Sequence, residues 1–556
     1  MKNYLKLIHA STRRLTHPSY NTLIILTLIT VLVIEALSHI YVVFGKIGTI
    51  FWACLFVFIL TETFVGLKTL IKLTLHKKYL LTIFAYLIIL GISLFASFLA
   101  INSHFEAAQE TTCKLFQYSL SDFGYNSICH LGYPARIFIV TSLPSLLFGR
   151  SLFALNFGAL IYIFCGLTIF TAAITKYFKK EESSDMITFF SVAMIPNFFY
   201  FNYFLFAYEL GIFPVTFMLM QTGFYLFYLK EKKIKYILLS LIVNYYLIFS
   251  YTTALAVVVL SLIFMLLFIF EKQLPKLHKL TFGMGIIATT IMSISSLFIR
   301  NDIRLFSSPH NTINISTELL SALRYFINGN NVSPFTTSAI SSIMLIVILS
   351  LLSFMFGKKY FIVGIWIIAV VIAAVVTQGY SFNSLEFRVH RAIIIMPTII
   401  IFTSVALSKI LRYIPQTKKI IVISSIFLLS LGVYYQYSYL NTKVGDERHR
   451  HYELINYLKT NINNGDEIYL YFDTNTDRNF ISINDNLYYY YPKSMAEVSN
   501  VLCAFNYPGV NTLSQQTYFL TYSNIPCTRK STNFSLVGSF KFLNDETLLI
   551  YKFSNI

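Results

Sequence analysis

Apolar residues along this chain fall in long unbroken runs, not in the alternations that mark half-buried strands or amphipathic helices. Runs of about 20 residues are what an α-helix needs to cross a bilayer, and the pattern predicts about thirteen spanning helices. They lie at 21–43, 47–67, 79–101, 152–175, 186–203, 207–229, 236–251, 253–270, 280–299, 338–356, 360–378, 393–409 and 419–438. The first is too long for a signal peptide, and no small-residue cleavage site follows Val43, so it is expected to remain as a span.

The polar connections are of two kinds. One set is short and basic: 1–20, 68–78, 176–185, 230–235, 271–279, Lys358-Lys359 and 410–418 with its flanks. The other is longer and mixed in sign: 102–151, 300–337, 379–392 and everything after 440. The two sets alternate along the chain. The positive-inside rule places the basic set in the cytoplasm, with the N-terminus inside and the C-terminus outside, which requires an odd number of spans.

The pattern changes beyond 440. Residues 451–459 carry apolar residues at helical spacing, Asn463-Asn464-Gly465-Asp466 reads as a turn, and 467–472 reads as a strand. Further strands are expected at 518–522, 534–542 and 547–553. The expected fold class is therefore a polytopic α-helical membrane protein with a small C-terminal α+β periplasmic domain. Residues 1–440 form the multi-span domain, with the outer loop 102–151, and 441–556 form the periplasmic domain.

Composition narrows the class. Of 556 residues, 56% are hydrophobic and 12% charged, where soluble domains run near a quarter charged. A soluble enzyme, a secreted disulfide scaffold and a disordered binder are excluded. The net charge of +18 resides largely in the short basic connections. It is thus topological, and no nucleic-acid partner is expected.

Cysteine placement bears on the topology. Cys54 and Cys165 lie inside spans, whereas Cys113 and Cys129 share the first outer loop and Cys503 and Cys527 share the tail. Two local pairs on the oxidising side suggest two disulfides; four free thiols are the alternative.

The outer face carries the candidate chemistry. Glu106 and Glu110 stand one helical turn apart where the third span emerges, and partial desolvation there would raise a carboxyl pKa toward that of a general base. Glu209 stands at the outer mouth of the sixth span among apolar residues, where an ionisable group is costly and a functional candidate by default. Arg388, His390 and Arg391 precede a late span, and Arg304 follows the ninth. Outer positive charge runs against the positive-inside tendency, and guanidinium forks match phosphate oxygens. The stretch from Arg136 to Phe148 is apolar, too short to cross and carries Pro144, as in a helix lying in the interface. No P-loop, Gly-x-Ser-x-Gly, His-Glu-x-x-His or dinucleotide motif is present in the sequence.

This order of parts resembles the GT-C class of polyprenyl-phosphate-dependent glycosyltransferases, in particular bacterial relatives of protein O-mannosyltransferases and the lipid A aminoarabinose transferases. On that resemblance Glu106 stands for the acid that opens the outer loop, and Gly132-Tyr133-Pro134 for its Gly/Pro stretch. Leu147-Phe148-Gly149-Arg150 matches the end of the interfacial helix, Glu209 the second acid, and Arg388-Val389-His390-Arg391 with Pro397 the Arg-rich approach to a late span. The family normally has Asp at the first acid, where this chain has His104-Phe105-Glu106, and two extra spans precede the loop.

The resemblance implies an inner-membrane enzyme of the bacterial cell envelope, with Glu106 and Glu209 catalytic. Glu110, Arg304, Arg388, His390 and Arg391 would bind substrate. Its partners would be a polyprenyl-phosphate-linked sugar donor, a glycan, lipid or protein acceptor, and membrane lipids. No motif demands a cofactor, and a divalent metal is left open. Two other readings stay open: an O-antigen polymerase or ligase, and a lipid-linked glycan flippase or transporter without chemistry. Against the latter, no internal repeat is visible and the ionisable groups lie at the outer rim, not mid-span.

Overall fold

A computed structural model describes residues 19–38, 42–103, 147, 152–181, 183–195, 212–248, 274–299, 396–412, 454, 457–463, 466–472, 495–498, 517–522, 534–541 and 547–553. Nine helices are described: α1 (Tyr20–Ser38), α2 (Val42–Thr74), α3 (Leu80–Ser103), α4 (Leu152–Phe178), α5 (Ser184–Ala193), α6 (Ile212–Glu231), α7 (Ile234–Ile248), α8 (Lys276–Ile299) and α9 (Met396–Arg412). Each coincides with an apolar run of the sequence. The runs at 253–270, 338–356, 360–378 and 419–438 lie outside the described residues. The chain divides into two compact units: Met1–Phe95 with Gly124–Asn126 and Gly158–Gln436, and Ala96–Phe123 with Ser127–Phe157 and Tyr437–Ile556.

In the first unit, polarity is arranged opposite to that of a water-soluble bundle. Leu280, Met284, Ile287 and Ile291 recur at helical spacing on α8, and all are exposed. Val57, Phe64 and Ile71 do the same on α2, and Leu80, Phe84 and Leu87 on α3. Polar side chains instead lie between helices: Thr63, Thr168, Thr171, Thr188, Gln221 and Asn244 are buried. Exposed apolar stripes of this length fit a lipid solvent, and several of the buried hydroxyls find partners inside the protein. The Tyr86 and Thr168 hydroxyls meet at 2.8 Å, Thr82 and Thr188 at 3.0 Å, and Thr63 donates to the Ile59 carbonyl at 2.8 Å. By length and composition, Ile50–Thr74 and Leu160–Phe178 can each cross a membrane.

Two features hold the helices together. Aromatic rings from α2, α4, α6 and α7 interlock edge-on, with Phe56–Tyr162 centroids at 4.8 Å and Tyr162–Phe217 at 5.1 Å. The Tyr246 hydroxyl closes this knot by donating to the Trp52 carbonyl. Glycines then let backbones approach: a Cβ on Gly166 of α4 would lie 2.9 Å from the Thr216 carbonyl oxygen of α6.

The second unit contains a five-stranded mixed sheet of order β2-β1-β3-β5-β4. Its strands are β1 (Glu467–Phe472), β2 (Met495–Val498), β3 (Thr517–Tyr522), β4 (Phe534–Lys541) and β5 (Thr547–Phe553). β1 pairs parallel with β2 and β3, while β5 pairs antiparallel with β3 and β4. Four strands match the sequence reading; β2 was not expected from it, because four residues give too short an alternation to register. Residues 457–461 are helical, and Leu454, Leu458 and Ile462 bury one stripe at helical spacing. Asn463 and Asp466, which flank the expected turn, bond to each other: the Asp466 N–H donates to the Asn463 carbonyl at 3.0 Å, and the Asp466 carboxylate accepts from the Asn463 N–H at 3.0 Å. A β-bulge in β4 places Gly538 so close to the Tyr457 hydroxyl that any side chain there would collide with it.

Candidate functional site

Glu106, Glu110, Glu209, Arg304, Arg388, His390 and Arg391 all lie outside the described residues, as do Cys113, Cys129, Cys503 and Cys527. The described helices fix where the chain stands on either side of them. α3 ends at Ser103, three residues before Glu106; α6 begins at Ile212, three residues after Glu209. α8 ends at Ile299, five before Arg304, and α9 begins at Met396, five after Arg391, with Pro397 in its first turn, where a missing N–H costs nothing. In each helix this is the end remote from its basic connection. The described Cys54 and Cys165 are free thiols, and among the described residues no three His, Cys, Asp or Glu side chains gather as a metal site.

At the opposite helix ends, described residues of several helices are tied to one another. The Tyr20 hydroxyl at the start of α1 donates to the Phe58 carbonyl of α2 at 3.4 Å. Tyr79 and Ser184 hydroxyls join the starts of α3 and α5 at 3.1 Å. Lys176 near the end of α4 pairs with Glu231 at the end of α6. Lys235 of α7 donates to both Glu62 oxygens of α2, at 2.8 and 3.0 Å. Tyr228 of α6 meets His278 Nδ1 of α8 at 3.1 Å. The described residues of the basic connections 68–78, 176–185, 230–235 and 271–279 therefore share one end of the first unit.

The acids at this end were not singled out by the sequence reading. Glu62 is a carboxylate within an apolar run, a signal that could have found it. Its side chain is 6% exposed and Lys235 is 21% exposed. A buried charge persists only with such a partner, and the bidentate contact supplies one. Glu231 works differently. Burial alone would raise its pKa, but hydrogen bonds from Lys176 and Lys233, with a third from Tyr236, outweigh burial and hold it at about 2. The Lys233 ammonium is raised in turn by its hydrogen bond to Glu231. Burial lowers His278, which favours its neutral imidazole beside Tyr228. These groups pair among themselves in a set of structural clamps.

No family model matches the sequence, and no curated protein matches it in sequence. Among solved structures the chain is similar to ArnT from Cupriavidus metallidurans in the apo state, with a TM-score of 0.50 and 9% identity. The match covers 84% of this chain and 97% of ArnT. ArnT is a lipid A aminoarabinose transferase of the GT-C class, so the fold expected from the order of motifs is the fold found.

Proposed function

We propose that this protein is a glycosyltransferase of the inner membrane that moves a sugar from a polyprenyl-phosphate donor to an acceptor on the periplasmic side. The observation that carries the proposal is the likeness in fold to ArnT over 84% of this chain and 97% of ArnT. Its support in the sequence is the recurrence of that family's acids and arginines in order, each within a few residues of a helix end remote from the basic connections.

In this reading Glu106 takes the proton from the acceptor hydroxyl, which attacks the anomeric carbon in line as polyprenyl phosphate departs. Arg388 and Arg391, with Arg304, stabilise the charge growing on the leaving phosphate, because guanidinium donors strengthen as that charge develops. Glu209 orients the acceptor or supports the base, while Glu110 and His390 bind substrate in the same site. The donor arrives already activated in lipid, and no nucleotide-sugar site is required. The boundary near residue 440, with a periplasmic domain beyond it, belongs to the same proposal.

The test is Glu106→Gln, which keeps shape and hydrogen-bonding capacity but cannot accept the proton. The variant should insert, fold and retain the lipid-linked donor, while transfer to acceptor falls by at least about a hundredfold. Full transfer activity in this variant would remove the assignment of the base. Vesicles in which lipid-linked sugar crosses with no product formed would favour a transporter.

A further inference from the structure

The end of the bundle that carries the basic connections also holds a surface whose chemistry fits one occupant. On α2 the outward stripe runs Val57, Thr61, Phe64, Lys68, Ile71 and Lys72, and Leu75 follows in the turn just beyond the helix, all exposed. Its first part is apolar, and in its last turns lysine alternates with isoleucine and leucine. α2 has 33 residues, about 50 Å of helix, whereas a hydrocarbon core is about 30 Å thick. Its end must therefore leave the tails and cross the headgroup layer. The chain turns there through a 3-10 segment, Lys77–Tyr79, with Lys77 and Lys78 exposed. It then re-enters the apolar zone along α3, where Leu80, Phe84 and Leu87 are exposed.

The hairpin tip is thus cationic between two lipid-facing stripes. Among the described residues no acid neutralises it. Glu62, on the buried side of α2, is held by Lys235, and Glu231 is held by Lys176 and Lys233. Among the described residues no carboxylate pairs with Lys68, Lys72, Lys77 or Lys78. Lys179 and Lys180, also exposed near this end, sit differently: they follow α4, whose apolar core window is 78% buried, so they emerge from the middle of the bundle and not from its lipid-facing rim.

We propose that the α2–α3 hairpin tip binds the headgroups of anionic phospholipids in the adjoining leaflet, through Lys68, Lys72, Lys77 and Lys78, while Phe64, Ile71, Leu75 and Leu80 lie along the acyl chains. Lysine suits this role because its ammonium reaches outward while its methylene stem stays against apolar surface. Attraction of clustered lysines to an anionic leaflet is additive over a few residues and falls off within a Debye length. The proposal concerns the basic end and does not depend on the transfer chemistry assigned to the other.

The experiment uses the full-length protein in phosphatidylcholine bilayers containing trace spin-labelled phosphatidylglycerol or phosphatidylcholine. The immobilised fraction of each label measures selectivity. Phosphatidylglycerol should be preferred by at least about threefold at low salt, and less at 1 M salt. Alanine at all four lysines should bring the ratio toward one, and arginine at all four should restore it, which separates loss of charge from loss of fold. Equal retention of both labels by the unaltered protein would overturn the proposal. So would an equal loss of selectivity in Lys179→Ala/Lys180→Ala, which would show a diffuse charge effect in place of a defined surface. Full competition by millimolar inorganic phosphate would identify a soluble anion as the occupant and overturn it too.

Discussion

Glu231 shows how one residue sets the behaviour of its surroundings. It closes α6, accepts from Lys176 and Lys233, and its side chain is 11% exposed. Its carboxyl is held at about 2, against an ordinary value of 4.5. A depressed carboxyl stabilises the fold fully above the unfolded value, and that contribution is lost as pH falls through the folded one. Thermal stability of the solubilised protein should therefore drop between pH 4.5 and about 2, with a slope that Glu231→Gln makes shallower over that window. An unchanged slope in the variant would mean that the pairing with Lys176 contributes nothing. The charge itself could be read from the sequence. Its partner on α4 could not, because Lys176 lies 55 positions away and reaches it only when α4 and α6 pack.

At the scale of elements, the helices pack through small residues and interlocked rings, since lipid gives apolar side chains no reason to prefer one another. Gly166 is the sharpest instance. A methyl group there would meet the Thr216 backbone, which cannot swing aside as a side chain can. Gly166→Ala should cost about 1–3 kcal/mol by forcing α4 and α6 apart. Gly91 of α3 has nothing within 4 Å of an added Cβ, and Gly91→Ala should be neutral or gain up to about 1 kcal/mol of helix propensity. Thermal unfolding of both variants in one detergent is the check; equal effects would refute the close contact. Element positions were legible in advance, because a run of some 20 apolar residues has one stable conformation in lipid. β2 was not, since strand pairing across a crossover leaves no local mark in four residues.

For the whole molecule, the arrangement divides by end. One end ties its helices together through ion pairs and hydroxyl contacts, and the candidate acids and arginines follow or precede helix ends remote from it. Paired cysteines on the outer side are expected to limit where Glu106 can point. If Cys113–Cys129 and Cys503–Cys527 are bridged, a membrane-impermeant thiol reagent added to intact spheroplasts should label none of the four before reduction and all four after it. Cys113→Ser should then lower transfer activity sharply while the protein still inserts, and Cys503→Ser should mainly expose the tail to proteolysis. Labelling of all four without reduction would dispose of the bridges and of the rigid loop with them.

What the sequence by itself determined is what depends on solvent and on neighbours in the chain. Lipid demands long apolar helices and concentrates lysine in alternate connections, and the Asn-Gly-Asp turn with its flanking helix and strand is coded locally. The order of acids, Pro and arginines was enough to point to the fold that the likeness to ArnT bears out. Tertiary structure alone decided which distant charges neutralise each other, as Glu62 with Lys235 across 173 positions, and which glycines are contacts and which are slack. It also decided that the α2–α3 lysines face outward beside lipid-facing residues. The physical reason is common to all three. Hydrophobicity acts on each residue separately and is written in order along the chain, whereas a salt bridge or a backbone approach exists only between two segments that packing has brought together.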